Sequence, residues 1–316
     1  MVLTSRAKKV FVGDPYQQIY AFNGAVNALT KAASQGAASY FLTQSFRCPD
    51  DIAKKANQYL KLLGAPKPFR GLNEPKTKEK TSGQLIIART NAGLFDFVAK
   101  QLPKKFFFYI GGFEGYEFDT ILDVVRLLTN TPNDVKDIFL RNFSCFSQLE
   151  SYAERAKDTV LTSRIRIAKR YKKRSFSLFR DMWVNQVFKE SEADYIATTA
   201  HKIKGQEHQQ VCLLDDFVSL KDIVDKAEEQ KTLASLGGPR VLADDPYLSL
   251  EEFRLLYVSI TRSFNSLNMP ARYQLSDEAI DQFKELCSSG FIGLKEGPNF
   301  LDPNSNPQTL VSPSDS

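Results

Sequence analysis

The sequence has few residues that bind metals or form disulfides. It contains two histidines and four cysteines in 316 residues, and no two cysteines have CxxC spacing. A zinc site or a disulfide framework needs such residues in clusters, so the sequence predicts neither. Scattered free cysteines fit a reducing intracellular compartment.

Membrane and secretion signals are also missing. No run approaches the roughly 18 apolar residues that suggest a membrane helix, and the N-terminus lacks the positive-then-apolar pattern of a signal peptide. We therefore expect a soluble intracellular protein with no membrane partner.

The sequence also lacks two elements of an ATP site. It contains no GxxxxGK[ST] phosphate-binding loop, and we expect the strand whose paired acids would hold Mg²⁺ to be missing as well. Because that loop supplies the amides and the lysine for the phosphates, we expect the chain alone not to bind ATP tightly. We further expect that it is a fragment, a truncated gene model or one part of a split polypeptide.

What is present favours a globular protein with a substantial core, since 42% of the residues are apolar and 12% are aromatic. The net charge is +5, but the cations are unevenly distributed. One basic stretch, residues 164–180, contains Arg164, Arg166, Lys169, Arg170, Lys172, Lys173, Arg174 and Arg180. Such a stretch is either a solvated helix face or a surface for phosphates, and the sequence leaves both open.

Short apolar runs and helical spacings alternate along much of the chain. KVFVG at 9–13 and QLIIAR at 84–89 read as buried parallel strands, and residues 50–63 and 92–101 have helical spacing. This alternation predicts an α/β fold in which helices cover a parallel sheet. A further strand is expected in FFFYIGG, residues 106–112.

Helical patterns replace strands between about residues 116 and 189, which predicts an inserted helical subdomain. Strand-like segments return in ADYIATTAH (193–201), QQVCLLDDF (209–217) and RLLYVSITRS (254–263), before a last helix near 277–286. The predicted division is a remnant of a first domain, two parts of a second domain that flank the insert, and a disordered tail. The boundaries are 1–36, 37–114, 115–190, 191–290 and 291–316.

The segment VFVGDPYQQIYAFNGA at 10–25 is the most specific motif. It resembles the third motif of the superfamily 1 DNA helicases, the group that includes the bacterial repair and replication helicases. The resemblance implies that Gln17 senses the γ-phosphate and that Tyr20 and Phe22 pack on single-stranded DNA. Asn23 stands where this family usually has arginine, which removes one cation from the phosphate end.

Two further segments resemble motifs of the same family. LTQSFRCPDDI at 42–52 resembles the fourth motif, which implies that Arg47 stabilises the γ-phosphate; an always-charged planar guanidinium suits that role. IIARTNAGLF at 86–95 resembles a segment in which Arg89 and Asn91 meet the DNA backbone.

ATTAHKIKGQEHQQVCLLDDF at 197–217 resembles the fifth motif. The resemblance implies that His201 approaches the strand, that Gly205 lets the backbone approach the nucleotide closely, and that Glu207 accepts a hydrogen bond from the ribose. Gln206 and His208 replace the leucine and the aromatic residue usual there.

EEFRLLYVSITRS at 251–263 resembles the sixth motif, and it implies that Arg262 is an arginine finger for the γ-phosphate. Four segments, GDPYQQIYAFNGAVNAL, ARTNAGLFD, FYIGG and LLDDFV, further resemble the F-box branch of this superfamily. The resemblance implies a second RecA-like motor domain with an inserted helical subdomain and a 3′–5′ helicase that acts in recombination and repair in the nucleus.

The same resemblance implies ATP and Mg²⁺ as cofactors, with the Mg²⁺ ligands in a missing N-terminal part. It implies single-stranded and 3′-tailed duplex DNA as partners, together with a missing N-terminal RecA-like domain in cis or in trans. A second hypothesis stays open at this point. Because the phosphate-binding loop is missing, the chain can also be a non-catalytic remnant that binds single-stranded DNA or another protein.

Overall fold

The structure is a computed structural model that describes residues 8–20, 28–34, 36–72, 83–156, 158–235 and 250–293. The helices within these ranges are α1 Ala28–Ser34, α2 Asp50–Leu62, α3 Asn91–Gln101, α4 Asp119–Leu128, α5 Phe146–Arg155, α6 Thr159–Tyr171, α7 Arg174–Val184, α8 Leu220–Ser235, α9 Leu250–Ile260 and α10 Asp277–Ser288. The strands are β1 Gln44–Pro49, β2 Arg70–Leu72, β3 Gln84–Ala88, β4 Phe107–Tyr109, β5 Tyr195–Thr199, β6 His208–Leu213 and β7 Ser263–Asn268.

The chain divides into two compact units, and each is built from separate stretches of sequence. The first unit combines residues 1–74, 218–261 and 272–316, and the second combines 75–217 and 262–271. The predicted domain boundaries, which rest on the resemblance, stay a prediction.

The second unit contains a five-stranded sheet in the order β4-β5-β3-β6-β7. All four pairings are parallel, and Ala88 at the end of β3 pairs with Thr199 at the end of β5. The carboxyl ends of these strands therefore share one edge. The predicted α/β class with a parallel sheet is confirmed, and the arrangement is compatible with a RecA-like domain that carries a helical insert.

The apolar sequence of β3 explains its central place in the sheet. Residues 85–88 are all buried, as expected for a parallel strand covered on both faces. The chain then turns into α3, where the Thr90 hydroxyl caps the helix by accepting a hydrogen bond from Gly93 N at 2.9 Å. Phe95 of α3 meets Phe118 edge to face, with ring centroids 5.5 Å apart. This packing fixes the start of α3 beside the carboxyl edge of the sheet.

Helices α4 to α7 follow β4. Helices α4, α5 and α6 contribute to a hydrophobic cluster of their own, whereas Leu178 and Met182 of α7 pack in the cluster of the sheet. The apolar residues of DTILDVVRLL recur at helical spacing, and α4 packs against α6. Fully or nearly fully buried members of the cluster include Val124, Leu127, Leu149, Leu161 and Ile165. A largely helical segment thus interrupts the strands of the second unit, as predicted.

The first unit is organised around α2. Two acids, Asp50 and Asp51, occupy its first turn, where they face the unpaired amides and the positive end of the helix dipole. Its buried face packs against α9, and the Tyr59 hydroxyl donates to the Tyr273 carbonyl oxygen at 2.7 Å. Strands β1 and β2 form a separate parallel pair in this unit.

Two strand predictions were wrong. Residues 9–13 form no strand and pair with none of the strands described, and Val10 and Val12 are 88% and 81% exposed. The segment 254–263 begins inside helix α9, whose residues 253–260 are all buried. A helix buried on every side has no apolar periodicity, so its sequence looks like that of a buried strand.

The predicted disordered tail, 291–316, lies outside the described residues apart from 291–293. Within those three residues Ile292 is buried.

Candidate nucleic-acid and nucleotide sites

Three of the residues predicted to bind DNA lie together at the carboxyl edge of the sheet in the second unit. Arg89 follows β3, Asn91 begins α3, and His201 lies two residues after β5. Ala200 N donates to the Ala88 carbonyl oxygen at 2.9 Å, which holds the ends of the two neighbouring strands in register. All three side chains are partly exposed. The edge therefore presents two polar groups and an imidazole in the crevice where parallel sheets commonly bind ligands.

Lys202 anchors the loop that carries His201. Its ammonium group donates to the Gly115 carbonyl oxygen at 2.8 Å and lies 4.3 Å from the centroid of the Tyr116 ring. Burial lowers the pKa of Lys202, and the nearby Glu117 opposes this shift. Lys202 is therefore engaged with residues 115 and 116 of the same unit, which fixes the start of this loop.

Asp216, for which the sequence patterns predicted no role, lies after β6 at the same edge. Its carboxylate accepts hydrogen bonds from Arg89 N at 2.7 Å, from Thr90 N at 2.9 Å and from the Thr90 hydroxyl at 3.0 Å. Burial raises the pKa of Asp216, and these hydrogen bonds oppose the shift. Asp216 therefore holds the loop that carries Arg89 and Asn91. The only signal in the sequence was an acid directly after an apolar strand.

Three residues predicted to bind nucleotide lie at the opposite, amino edge of the same sheet. Arg262 directly precedes β7, and Gly205 and Glu207 lie just before β6. His208 N donates to the Arg262 carbonyl oxygen at 2.9 Å, and the Arg262 guanidinium donates to the Gln206 carbonyl oxygen at 3.3 Å. The structure thus brings Arg262 next to the loop that carries Glu207.

These three residues differ in exposure. Glu207 is exposed, whereas Arg262 is 2% exposed. Gly205 has φ +90°, and a Cβ at this position would meet nothing within 4 Å. Backbone conformation, and not crowding within this chain, therefore favours glycine at 205.

His208 makes the stability of this edge depend on pH. Burial lowers the pKa of His208, while Glu190, whose carboxylate is 3.6 Å away, opposes the shift. The unfolded chain therefore binds a proton more tightly than the folded chain, and stability should fall as pH drops below about 6.5, the ordinary histidine pKa. We expect the melting temperature to fall less between pH 7.5 and pH 5.5 in His208→Gln than in the wild type. An equal fall in both proteins would contradict this assignment.

The remaining predicted residues belong to the first unit. Asp14 organises the turn that contains Gln17: its carboxylate accepts from Gln17 Nε2 at 2.9 Å, from Tyr257 Oη at 2.7 Å and from Tyr16 N at 2.9 Å. Burial and the charge of Asp14 raise the pKa of Tyr16. Helix α9 therefore holds this turn in place through Tyr257.

Arg47 lies on β1 and Tyr20 follows the turn of Gln17, and both side chains are partly buried. Phe22 and Asn23 lie outside the described residues. Gln17 and Arg47 thus belong to the first unit, while Glu207 and Arg262 belong to the second. The roles given to all these residues stay predictions.

The described residues show neither a metal-binding cluster nor a membrane-spanning helix. They contain no group of three or more His, Cys, Asp or Glu side chains that could hold a metal ion. They also contain no helix that is long and apolar enough to cross a membrane.

The chain is similar in sequence to two curated helicases. It is 29% identical over 290 residues to F-box DNA helicase 1 of Gallus gallus, which covers 85% of this chain. It is 26% identical over 281 residues to F-box DNA helicase protein 1 of Schizosaccharomyces pombe, which covers 81% of this chain. No protein-family model matches.

The chain is homologous to F-box DNA helicase 1. It spans 27% of the length of the chicken protein and 30% of that of the yeast protein. The resemblance that the motifs suggested is therefore confirmed as a relationship to DNA helicases. As a homologue of the F-box DNA helicases, the chain corresponds to less than a third of each relative.

Proposed function

We propose that the chain is the C-terminal part of an ATP-dependent 3′–5′ DNA helicase that acts in recombination and repair in the nucleus. One observation carries the proposal. Arg89, Asn91 and His201, which come from separate segments of sequence, meet at one edge of a parallel sheet in a homologue of DNA helicases. Single-stranded DNA and 3′-tailed duplex DNA are the proposed partners.

In this proposal the carboxyl edge of the sheet holds the DNA strand. Arg89 and Asn91 donate hydrogen bonds to the phosphate backbone, and His201 contacts the strand beside them. Tyr20 and Phe22 stack on bases, which stabilises binding by about 1–3 kcal/mol per base. Asp216 does not touch DNA in this scheme but keeps Arg89 in place through the backbone.

The nucleotide residues suit ATP in their chemistry. Glu207, an exposed carboxylate, can accept a hydrogen bond from a ribose hydroxyl, and Gly205 lets the backbone of that loop adopt φ +90°. Gln17 and Arg47 of the first unit and Arg262 of the second are an amide and two guanidinium groups, and the chemistry of each suits a γ-phosphate. Bound ATP supplies the free energy for translocation. The phosphate-binding loop and the Mg²⁺ ligands would come from an N-terminal RecA-like domain in cis or in trans.

The DNA site can be tested with this chain alone. We expect Arg89→Ala to weaken binding of a single-stranded oligonucleotide about 10-fold at low salt, since hydrogen bonds to charged groups contribute about 1.5–3 kcal/mol. The slope of log K against log salt should fall by roughly 0.7, the value for one phosphate contact on a single strand. Fluorescence anisotropy over a salt series measures both quantities.

Lys104→Ala is the matched control, because Lys104 is exposed and precedes β4 at the opposite edge of the sheet. It removes the same charge and should leave the affinity and the slope nearly unchanged. Equal losses in the two variants would show that only net charge matters, and the proposed site would then be wrong.

A second candidate function is single-strand binding without ATP hydrolysis. The absence of a GxxxxGK[ST] loop from these 316 residues favours it, as does the location of Arg89, Asn91 and His201 within one unit. The two functions differ in one measurement. A polypeptide that joins this chain to a domain with the missing loop hydrolyses ATP in response to DNA only if the helicase proposal holds.

A further inference from the structure

The structure separates the basic stretch, residues 164–180, into two groups. Four of its cations form ion pairs inside the second unit: Arg164 with Glu117, Lys169 with Glu150, Arg170 with Asp96, and Arg180 with Asp181. The first three pairs tie α6 to its neighbours. The other four, Arg166, Lys172, Lys173 and Arg174, have no carboxylate within 4.0 Å among the described residues, and Lys172 and Lys173 lie at the turn between α6 and α7. This second group is available to a ligand.

Lys173 lines a surface cavity of about 520 Å³ in the helical part of the second unit. Arg126 and Lys136 bring two more cations to the cavity, and Asp134 brings one carboxylate. Lys136 and Lys173 are exposed, and Lys136, like Lys173, has no ion-pair partner among the described residues. Because Arg126 pairs with the buried Asp123, the excess positive charge of the lining comes from Lys136 and Lys173.

A buried carboxylate outside the lining holds two residues of this cavity in place. Asp123 is 3% exposed, and it accepts hydrogen bonds from the Arg126 guanidinium, from Lys136 N at 3.1 Å and from Asp137 N at 2.7 Å. The Arg126 guanidinium also lies 5.4 Å from the centroid of the Phe176 ring. Arg126 and the backbone of Lys136 are therefore fixed before any ligand binds.

The hydroxyl groups of the lining do not add donors for a ligand. Thr129 donates to the Val125 carbonyl oxygen at 2.9 Å, and Thr131 donates to the Arg126 carbonyl oxygen at 3.2 Å. The groups that face the cavity as donors are thus the cations, with an aromatic ring beside them. This chemistry suits a phosphate group, which accepts from several cationic donors at once.

We propose that the cavity between α4 and the α6–α7 turn binds a backbone phosphate of a nucleic-acid strand through Arg126, Lys136 and Lys173. It is a second contact, separate from Arg89 and His201 at the sheet edge. Phosphate is inferred from the lining alone. The choice of a nucleic acid over free phosphate rests on the proposed function.

The test uses the double variant Lys136→Ala/Lys173→Ala, since both side chains are exposed and their removal spares the hydrophobic cluster. We expect binding of a single-stranded 20-mer to weaken about 10-fold or more at low salt, with a decrease of roughly 0.7 in the salt slope, as for one phosphate contact on a single strand. Lys136→Arg/Lys173→Arg should retain most of the affinity. The control Lys104→Ala/Lys189→Ala loses the same charge outside the cavity and should bind like the wild type.

Three outcomes would overturn the proposal. The first is unchanged oligonucleotide binding in the alanine double variant, and the second is an equal loss in the control. In the third, inorganic phosphate raises the melting temperature of the wild type but not of the alanine variant, while both bind the 20-mer equally; the cavity then serves free phosphate. Arg89→Ala distinguishes the two sites. If it has no effect while the lysine variant loses affinity, the sheet-edge site fails and the cavity stands.

Discussion

Replacing Arg262 should abolish DNA-stimulated ATP hydrolysis in a polypeptide that joins this chain to a domain with a GxxxxGK[ST] loop. Arginine fingers contribute about 10³- to 10⁵-fold in rate, so we expect a loss of at least about 10³-fold in kcat for Arg262→Gln. Glutamine retains part of the side-chain volume of a residue that is 2% exposed. Steady-state ATPase at saturating DNA measures the effect.

The position of Arg262 explains why lysine should not replace it. Its guanidinium donates to the Gln206 carbonyl oxygen at 3.3 Å, and its own carbonyl oxygen accepts from His208 N. A guanidinium has five donors in a planar fork, so it can hold Gln206 and still donate to a phosphate. The lysine ammonium lacks this geometry. We therefore expect Arg262→Lys to be nearly as inactive as Arg262→Gln.

Loss of folding has to be separated from loss of chemistry in this experiment. The variants should keep the melting temperature and the single-strand affinity of the wild type within small margins. Arg272→Gln is a surface control, because Arg272 pairs with Asp222 at 3.4 Å in the first unit. Wild-type turnover in a folded Arg262→Gln protein would exclude the finger role and leave the DNA-binding remnant as the better account.

Local sequence patterns predicted the helices and strands that have one buried face or clear end signals. Helix α2 was expected at residues 50–63 and is found at Asp50–Leu62, because its acids mark the first turn and its apolar residues recur at helical spacing. β3 was expected at 84–89 and is found at Gln84–Ala88. In both cases interactions between residues close in sequence determine the type and the ends of the element.

The errors have physical causes that a local pattern does not contain. Helix α9 was read as a strand because all of residues 253–260 are buried, which leaves no periodicity. Residues 9–13 have the composition of a buried strand, but a strand also needs a neighbour with which to pair, and composition does not supply one.

The candidate sites, like the secondary structure, could be predicted from the sequence only in part. Motif resemblance named Arg89, Asn91 and His201, but only the strand order β5-β3 shows that they share an edge. Asp216 was missed because its partners are backbone amides 126 and 127 residues away in sequence. No spacing rule connects such distant positions, whereas the pairing of β3 with β6 does.

Gly93→Ala should be among the most destabilising single substitutions in the second unit. A Cβ on Gly93 would lie 2.0 Å from Asp216 Oδ2, well inside contact distance. The carboxylate would have to leave the amides of Arg89 and Thr90, and buried unsatisfied groups cost about 1–3 kcal/mol each. We expect a loss of roughly 2–4 kcal/mol in the free energy of unfolding, measured by urea denaturation. Single-strand affinity should also fall, because Arg89 loses its support.

A double-mutant cycle shows whether Asp216 is the cause. Asp216→Ala alone should also destabilise the second unit, since it leaves two amides unpaired. It removes, however, the carboxylate oxygen with which the new Cβ of Gly93→Ala would clash. The double variant should therefore be more stable than the sum of the single losses predicts, by roughly 1–3 kcal/mol. Gly115→Ala is a control, because its Cβ would meet only the flexible end of Lys202 at 2.6 Å, which can move away. If the Gly93 and Asp216 losses add within about 0.5 kcal/mol, Asp216 does not hold the loop.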